Sequence, residues 1–380
     1  MNRLHLPTVV FMALLLAVVS EAQPLRASAP IPLPEDRGSG APETVENASP
    51  APLHLAFLHD PGPSNRHMEL PLSESEATLR VPLQIRLLVF APHPDDETLA
   101  AAGLIQRVVE RGGSVRVVWM TNGDGFLDGV RSEYDVTEPT DHDFIKYGKM
   151  RQEEAIRAIG ELGLEEGDSV FLGFPDGGLY PIWESHWSAS HPYTSPHTRL
   201  NRSAYPNSYS RAVHYSGSAM LEQLLGVMRD FSPDWVVLPD PRDHHPDHAA
   251  SGAFILEALR KLREAGEPPF SETEAFTYLV HFPFYPNAEG WMNAANRASA
   301  GGVLTGSQSL SATQWLTLPI NAGELQGKSR ALARHDSQME PLGPFLNLFL
   351  MRYEVFGRLR PSQIMEVPVD YVARFRKPTS

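Results

Sequence analysis

An apolar run at residues 84–90 ends in Ala91-Pro92-His93-Pro94-Asp95-Asp96-Glu97 and gives way at once to a helical pattern. A second apolar run, residues 235–238, ends in Pro239-Asp240-Pro241-Arg242-Asp243-His244-His245-Pro246-Asp247-His248, and a helical pattern follows it too. Two strand ends that each carry a His/Asp cluster point to one metal site assembled from distant parts of the chain. A fold that unites them has to bring both ends to one place.

From about residue 81 strand and helix alternate. Strands are expected at 85–90, 115–120, 169–172, 236–238 and 275–281, and helices at 97–111, 149–162, 218–231 and 247–265. Gly112-Gly113, Gly163 and Gly266 stand where helices should stop, a position that favours glycine. Strands separated by helices imply a parallel sheet with right-handed crossovers. Such sheets bind ligands beyond the carboxyl ends of their strands. Four of those ends are polar here: His93 to Asp96, Thr121 to Asp124, Pro175-Asp176-Gly177-Gly178, and Asp240 to His248. Residues 291–380 add an expected strand at 315–318, a helix at 322–334 and an apolar segment at 345–356. They read as an extension packed on the core, not as a separate domain.

With 380 residues, 42% of them hydrophobic, the chain can bury one large α/β core. Residues 1–22 read as a signal peptide: Arg3 gives a positive start, residues 6–19 are mostly apolar, and Ser20-Glu21-Ala22 places small residues at −3 and −1. The apolar run is shorter than the roughly 20 residues a membrane span needs. The mature chain is therefore expected to be exported, periplasmic or secreted, with no stable membrane insertion. Residues 23–66, rich in Pro, Ala, Ser and Glu, read as a tether with a short strand at 53–58. Tether and lead-in strand together fill 23–80, the catalytic domain 81–290 and its extension 291–380. The chain has no cysteine, which removes disulfides, thiolate metal sites and cysteine nucleophiles. A net charge of −14 without a basic stripe suits neither nucleic acid nor an anionic membrane.

A hydrolytic zinc site takes three protein ligands, commonly His and carboxylate, and leaves one position open. His93 and Asp96 are three apart where a helix begins, and His245 and His248 repeat that spacing. Adjacent helical positions diverge by about 100°, so Asp95 cannot point the same way as Asp96. The expected division of labour makes His93, Asp96 and His248 the ligands and Asp95 the general base. His245, protonated, would stabilise the oxyanion, and Asp247 would orient a histidine. The bland readings are helix capping for Asp95-Asp96-Glu97 and a solvated turn for His245 to His248. His244 reads as a supporting or solvated residue, and His186, His191 and His197 as surface residues. The irregular stretch 177–216, with Trp183, Trp187, Tyr193, Tyr205, Tyr209 and Tyr215, reads as a lid or binding wall whose aromatics would stack on sugar rings.

On these residues the chain resembles the PIG-L/LmbE-like N-acetylglucosaminyl deacetylase family. The first signature is Ala91 to Glu97 and the second His245-Pro246-Asp247-His248. Supporting segments are Thr121 to Asp124, Arg151-Gln152-Glu153-Glu154, Phe174 to Gly177, and His335-Asp336-Ser337-Gln338 with Lys328. The resemblance implies a Rossmann-like α/β fold, with a mostly parallel sheet and helices on both faces. It also implies zinc-dependent hydrolysis of an acetamide on an amino sugar or glycan, with Arg151 and Asp176 against sugar hydroxyls. Some members place an aromatic two residues before the histidine of the second signature, where Asp243 stands here.

Fe²⁺ or Co²⁺ would also suit a His₂Asp site. Rival readings are an amidase releasing a larger acyl group from an amino sugar, and a non-catalytic carbohydrate-binding protein. Glycoside hydrolysis would need two carboxylates across a sugar bond, such as Asp95 and Asp124, and would leave the histidines idle.

Overall fold

The computed structural model describes residues 78–282 and 313–365. The chain divides into two units, Met1–Met68 and Glu69–Ser380, and every described residue belongs to the second. The expected signal peptide, the tether with its strand at 53–58, residues 283–290 of the expected catalytic domain, and residues 291–312 and 366–380 of the extension lie outside the described residues.

The strands are β1 (Arg86–Ala91), β2 (Ser114–Thr121), β3 (Ser169–Phe174), β4 (Trp235–Pro239), β5 (Glu274–Tyr278), β6 (Gln314–Pro319) and β7 (Tyr353–Arg358). They form one sheet in the order β3-β2-β1-β4-β5-β7-β6. The first five run parallel, while β7 pairs antiparallel with both β5 and β6. The helices are α1 (Asp96–Glu110), α2 (Leu127–Tyr134), α3 (Asp141–Glu161), α4 (Leu179–Ser185), α5 (Gly217–Phe231), α6 (Pro246–Glu264), α7 (Ala322–Leu332), α8 (Asp336–Leu346) and α9 (Pro361–Met365).

Alternate side chains of a strand point to opposite faces, and β1 shows what covers each. Leu87, Val89 and Ala91 join one core with Leu104, Ile105 and Val108 of α1, Ile159 of α3 and Leu332 of α7. Leu88 and Phe90 join the other with Leu179 of α4, Leu224 of α5 and Phe254 of α6. Leu87 to Ala91 are all fully buried, which explains a near-continuous apolar run instead of an alternating one. Truncating Phe90 to alanine would cost about 3–5 kcal/mol. The chain runs outward from β1 to β2 and β3 on one side, and from β4 to β5 on the other. The carboxyl ends of β1 and β4 therefore flank the switch point where a crevice opens.

Expected and observed elements coincide closely through the parallel part, with three differences. Helix α3 begins at Asp141, well before 149, because Thr140 and Asp143 form a reciprocal cap. Helices α2 and α4 are short and lie in stretches that read as polar loop. The segment 345–356 contains no single element: it ends α8, makes a 3₁₀ turn at Asn347–Phe349 and starts β7.

Candidate active site

Five loops at the carboxyl ends of β1 to β5 supply the site. Asp96 opens α1 directly after β1, and His248 lies in the first turn of α6 after β4. Asp96 Oδ2 is 3.1 Å from His248 Nε2 and 3.3 Å from His93 Nδ1. Ligand atoms sharing one tetrahedral zinc lie about 3.3 Å apart, given bonds of about 2.0–2.1 Å. Neither ring nitrogen of His248 makes a hydrogen bond, nor does Nε2 of His93, although all three are buried. Leaving a buried polar atom without a partner costs about 1–3 kcal/mol, and a neutral imidazole carries one lone pair, so His248 could give a cation Nε2 beside Asp96 while Nδ1–H faces Asp243. The charge balance agrees. Asp95, Asp96, Asp176, Asp243 and Asp247 are mostly buried around the imidazoles, with Arg151 buried against Asp95 and Arg242 paired with Asp240. Asp96 is thus brought against both His93 and His248. The sets whose donor atoms all lie within 4.8 Å of one another are His93–His245–His248, Asp96–His248–His281 and His93–Asp176–Asp247.

Asp95 is held differently. Its backbone φ is 144°, a conformation that costs about 1–3 kcal/mol and persists only where surroundings impose it. Its N–H donates to Glu97 Oε2 (3.1 Å), and its carbonyl accepts from Thr98 and Leu99 N–H. This turns the side chain away from Asp96 and toward Arg151, whose Nη2 is 3.2 Å from Asp95 Oδ2. Burial pushes the Asp95 carboxyl up to about 7, with Arg151 opposing and Asp96 adding to the rise. Burial also opposes ionisation of Asp96, but His248 and His93 outweigh it and hold that carboxyl well below the usual range. Two adjacent aspartates are thereby separated in role, one ionised and one poised near neutrality.

The Arg151 guanidinium, expected against sugar, spends its donors inward on Pro94 O (2.7 Å), Gly123 O (3.1 Å) and Asp95. Gly123 has a φ of 61°, and a Cβ there would overlap the guanidinium. Asp176 Oδ1 faces His93 Nε2 at 3.1 Å, while Oδ2 accepts Gly125 N–H. Asp247 lies 3.5 Å from His93 Nε2 and accepts from Gly177 and Leu179 N–H, so it ties the β3 loop to His93.

His245 differs from its expected protonated form. Its Nδ1 accepts Asp247 N–H at 3.3 Å, which places the proton of the neutral ring on Nε2. Burial first, then the His93, His281 and His248 rings, lowers its pKa to about 3. A neutral Nε2–H is still a hydrogen-bond donor.

Sequence reasoning missed two neighbours. Asp243 accepts from His245, Val280 and His281 N–H and lies 3.7 Å from His248 Nδ1. His281 stacks on Phe345 and stands with its ring centroid 4.7 Å from that of His248 and 5.0 Å from that of His245. Only its place just past β5 could have signalled this. The aromatic wall is largely core: Trp183, Tyr205 and Tyr215 are buried, and Tyr205 O–H donates to Asp124. Trp187 and Tyr209 are exposed. His197, expected at the surface, is half-buried against Phe144, whereas His191 is exposed. His244 is half-buried beside Phe282.

Residues 88–259 match the family described as PIG-L: GlcNAc-PI de-N-acetylase. The 1D-myo-inositol 2-acetamido-2-deoxy-alpha-D-glucopyranoside deacetylase of Corynebacterium urealyticum is 26% identical over 67% of this chain and 71% of its own length. The protein of that name from Nocardia farcinica is 32% identical over 47% of this chain and 53% of its own, so the chain spans about half of that relative. Among solved structures, a conserved protein from Thermus thermophilus aligns with 73% of this chain and 96% of its own, at 22% identity and a TM-score of 0.43. The N,N'-diacetylchitobiose deacetylase from Pyrococcus horikoshii aligns with 72% and 83%, at 19% and 0.41. Around the two His/Asp clusters, the chain carries a PIG-L family domain.

Proposed function

We propose that the chain is an exported, metal-dependent hydrolase that removes the N-acetyl group from an N-acetylglucosamine-containing glycan or glycoconjugate. The observation that carries this reading is the meeting of His93, Asp96 and His248 beside a strained, buried Asp95. Those three residues would hold Zn²⁺, with Fe²⁺ or Co²⁺ as alternatives. A divalent cation bound there supplies Lewis acidity to a water and to the amide carbonyl.

Asp95 takes a proton from the attacking water as its oxygen bonds to the carbonyl carbon. The carboxyl then returns that proton to the leaving nitrogen as the C–N bond breaks, giving acetate and a free amine. A pKa near neutrality suits a group that both takes and gives a proton. His245 donates its Nε2–H to the developing oxyanion and stays neutral. Arg151 and Glu97 hold Asp95; Asp176 and Asp247 hold His93; Asp243 holds His248. The names of the relatives, which are deacetylases of an N-acetylated amino sugar, support the substrate class.

The test is incubation of the metal-supplemented protein with a panel of N-acetylated sugars and oligosaccharides, scoring acetate and amine together. Equal amounts of both are expected. Amine with a larger acid and no acetate would favour the amidase reading, and no product from any substrate would sink hydrolysis. Export is checked by fractionating expressing cells and sequencing the mature N-terminus, expected at Gln23.

A further inference from the structure

We propose that His335, which lies beyond the family-matched residues, is a positioning residue for Asp95 and acts on it through Glu97. This rests on the hydrolase reading above and adds to it a residue from the C-terminal extension.

His335 is fully buried, and its Nε2 is 3.3 Å from both Glu97 Oε1 and Thr98 Oγ1. Glu97 is fully buried too. Its Oε1 accepts Thr98 O–H (2.7 Å), and its Oε2 accepts Trp119 Nε1–H (2.9 Å) and Asp95 N–H (3.1 Å). A buried carboxylate stays ionised and fixed only while donors surround it. His335 is the donor that arrives from outside α1 and β2. If it is withdrawn, Oε1 keeps a single donor and the carboxylate is free to rotate away from Asp95 N–H. That N–H is one of the contacts imposing the 144° φ of Asp95, and with it the direction of the carboxyl. The rest of the segment is docked independently of the imidazole: Ser337 N–H and O–H donate to Glu154 (2.9 and 2.6 Å), and Gln338 Nε2–H to Tyr147 Oη (2.7 Å). Removing the ring therefore leaves the segment in place and breaks one link.

A simple packing role and a positioning role are separated by two variants of the full chain. H335F fills the space with a ring that has no donor, and H335Q keeps an N–H near Nε2. Each is compared with the parent for kcat, KM, bound zinc per chain by elemental analysis, thermal melting, and backbone exchange of Asp95 N–H. H335F is expected to lose about 10–100-fold in kcat with KM and zinc content unchanged. It should also exchange Asp95 N–H faster, and H335Q should recover most of both. Wild-type kcat in H335F, equal losses in the two variants, or a loss that follows zinc content would overturn the proposal. Should H335F fail to fold, H335N replaces it with the same outcomes, since its amide is too short to reach Glu97. A parent that hydrolyses no N-acyl sugar sinks the hydrolase reading alone. The link from His335 to Asp95 is then decided by the exchange rates, and equal rates in H335F and parent would dismiss it.

Discussion

Asp96 Oδ2 and His248 Nε2 stand 3.1 Å apart although one follows β1 and the other β4. They meet because those strands are parallel neighbours whose following helices start at one edge of the sheet. On the proposed reading, the contact makes cation binding a property of the folded sheet, not of either motif alone. His248→Ala should lose most bound metal. Asp243→Asn, which alters the group facing the far nitrogen of His248, should weaken binding by about 10–100-fold. Elemental analysis after dialysis checks both; full occupancy in the alanine variant would remove His248 from the ligand set.

Asp95→Asn should keep its metal and lose roughly 10²–10⁴ in turnover. It should also melt higher than the parent when both are metal-free. Burial raises the Asp95 carboxyl from 3.8 to about 7, so folding favours the protonated acid. The ionised group therefore weakens the fold, by on the order of a few kcal/mol. That cost is complete above the raised value and fades as the pH falls from about 7 toward 3.8. Melting curves across this range test the sign: a gain that grows toward low pH would refute it. With a cation bound, the acid limb of kcat/KM should lie below the metal-free value, because the added charge favours the carboxylate.

Much of this arrangement was legible in the chain. The spacing of His93 to Asp96 and of His245 to His248, each behind an apolar run, is enough to place four side chains at one sheet edge. Spacing fails where a contact depends on tertiary structure alone. His281 follows β5 with nothing near it in sequence to mark it, and Asp243 looks like one more polar turn residue until its carboxylate is seen holding His248 and His281. The aromatics of 177–216 misled for a related reason. Trp183, Tyr205 and Tyr215 have no helical or strand period to show which way they face, and they fill the core instead of lining a wall.

His245→Ala should lower kcat by about 10²–10³ if its Nε2–H serves the oxyanion. The neutral ring carries a further consequence for pH dependence. Its pKa is lowered to about 3, so no imidazolium is there to lose its proton near neutrality. A pH–rate profile of the parent should show no basic limb assignable to His245 between about pH 6 and about pH 8. A limb in that window that disappears in His245→Ala would show instead that the charged form does the work.

Lys328 and Glu354 form a fully buried pair at 3.0 Å, and both also reach into the middle of α1. Lys328 Nζ donates to Leu99 O, while Glu354 accepts Gly103 and Leu104 N–H. Glu354→Ala should destabilise the fold by about 3–5 kcal/mol, the usual cost of leaving one partner of a buried pair alone. An ordinary buried pair can be replaced by two apolar residues at little cost. Here the exchange should cost more, because Lys328→Met with Glu354→Leu would also remove the side-chain bonds to the Leu99 carbonyl and to the Gly103 and Leu104 N–H groups. Urea unfolding of the single and double variants decides the matter. A double variant as stable as the parent would mean that these side-chain bonds add nothing to the helix's own, and that the clamp does not hold the helix that presents Asp96.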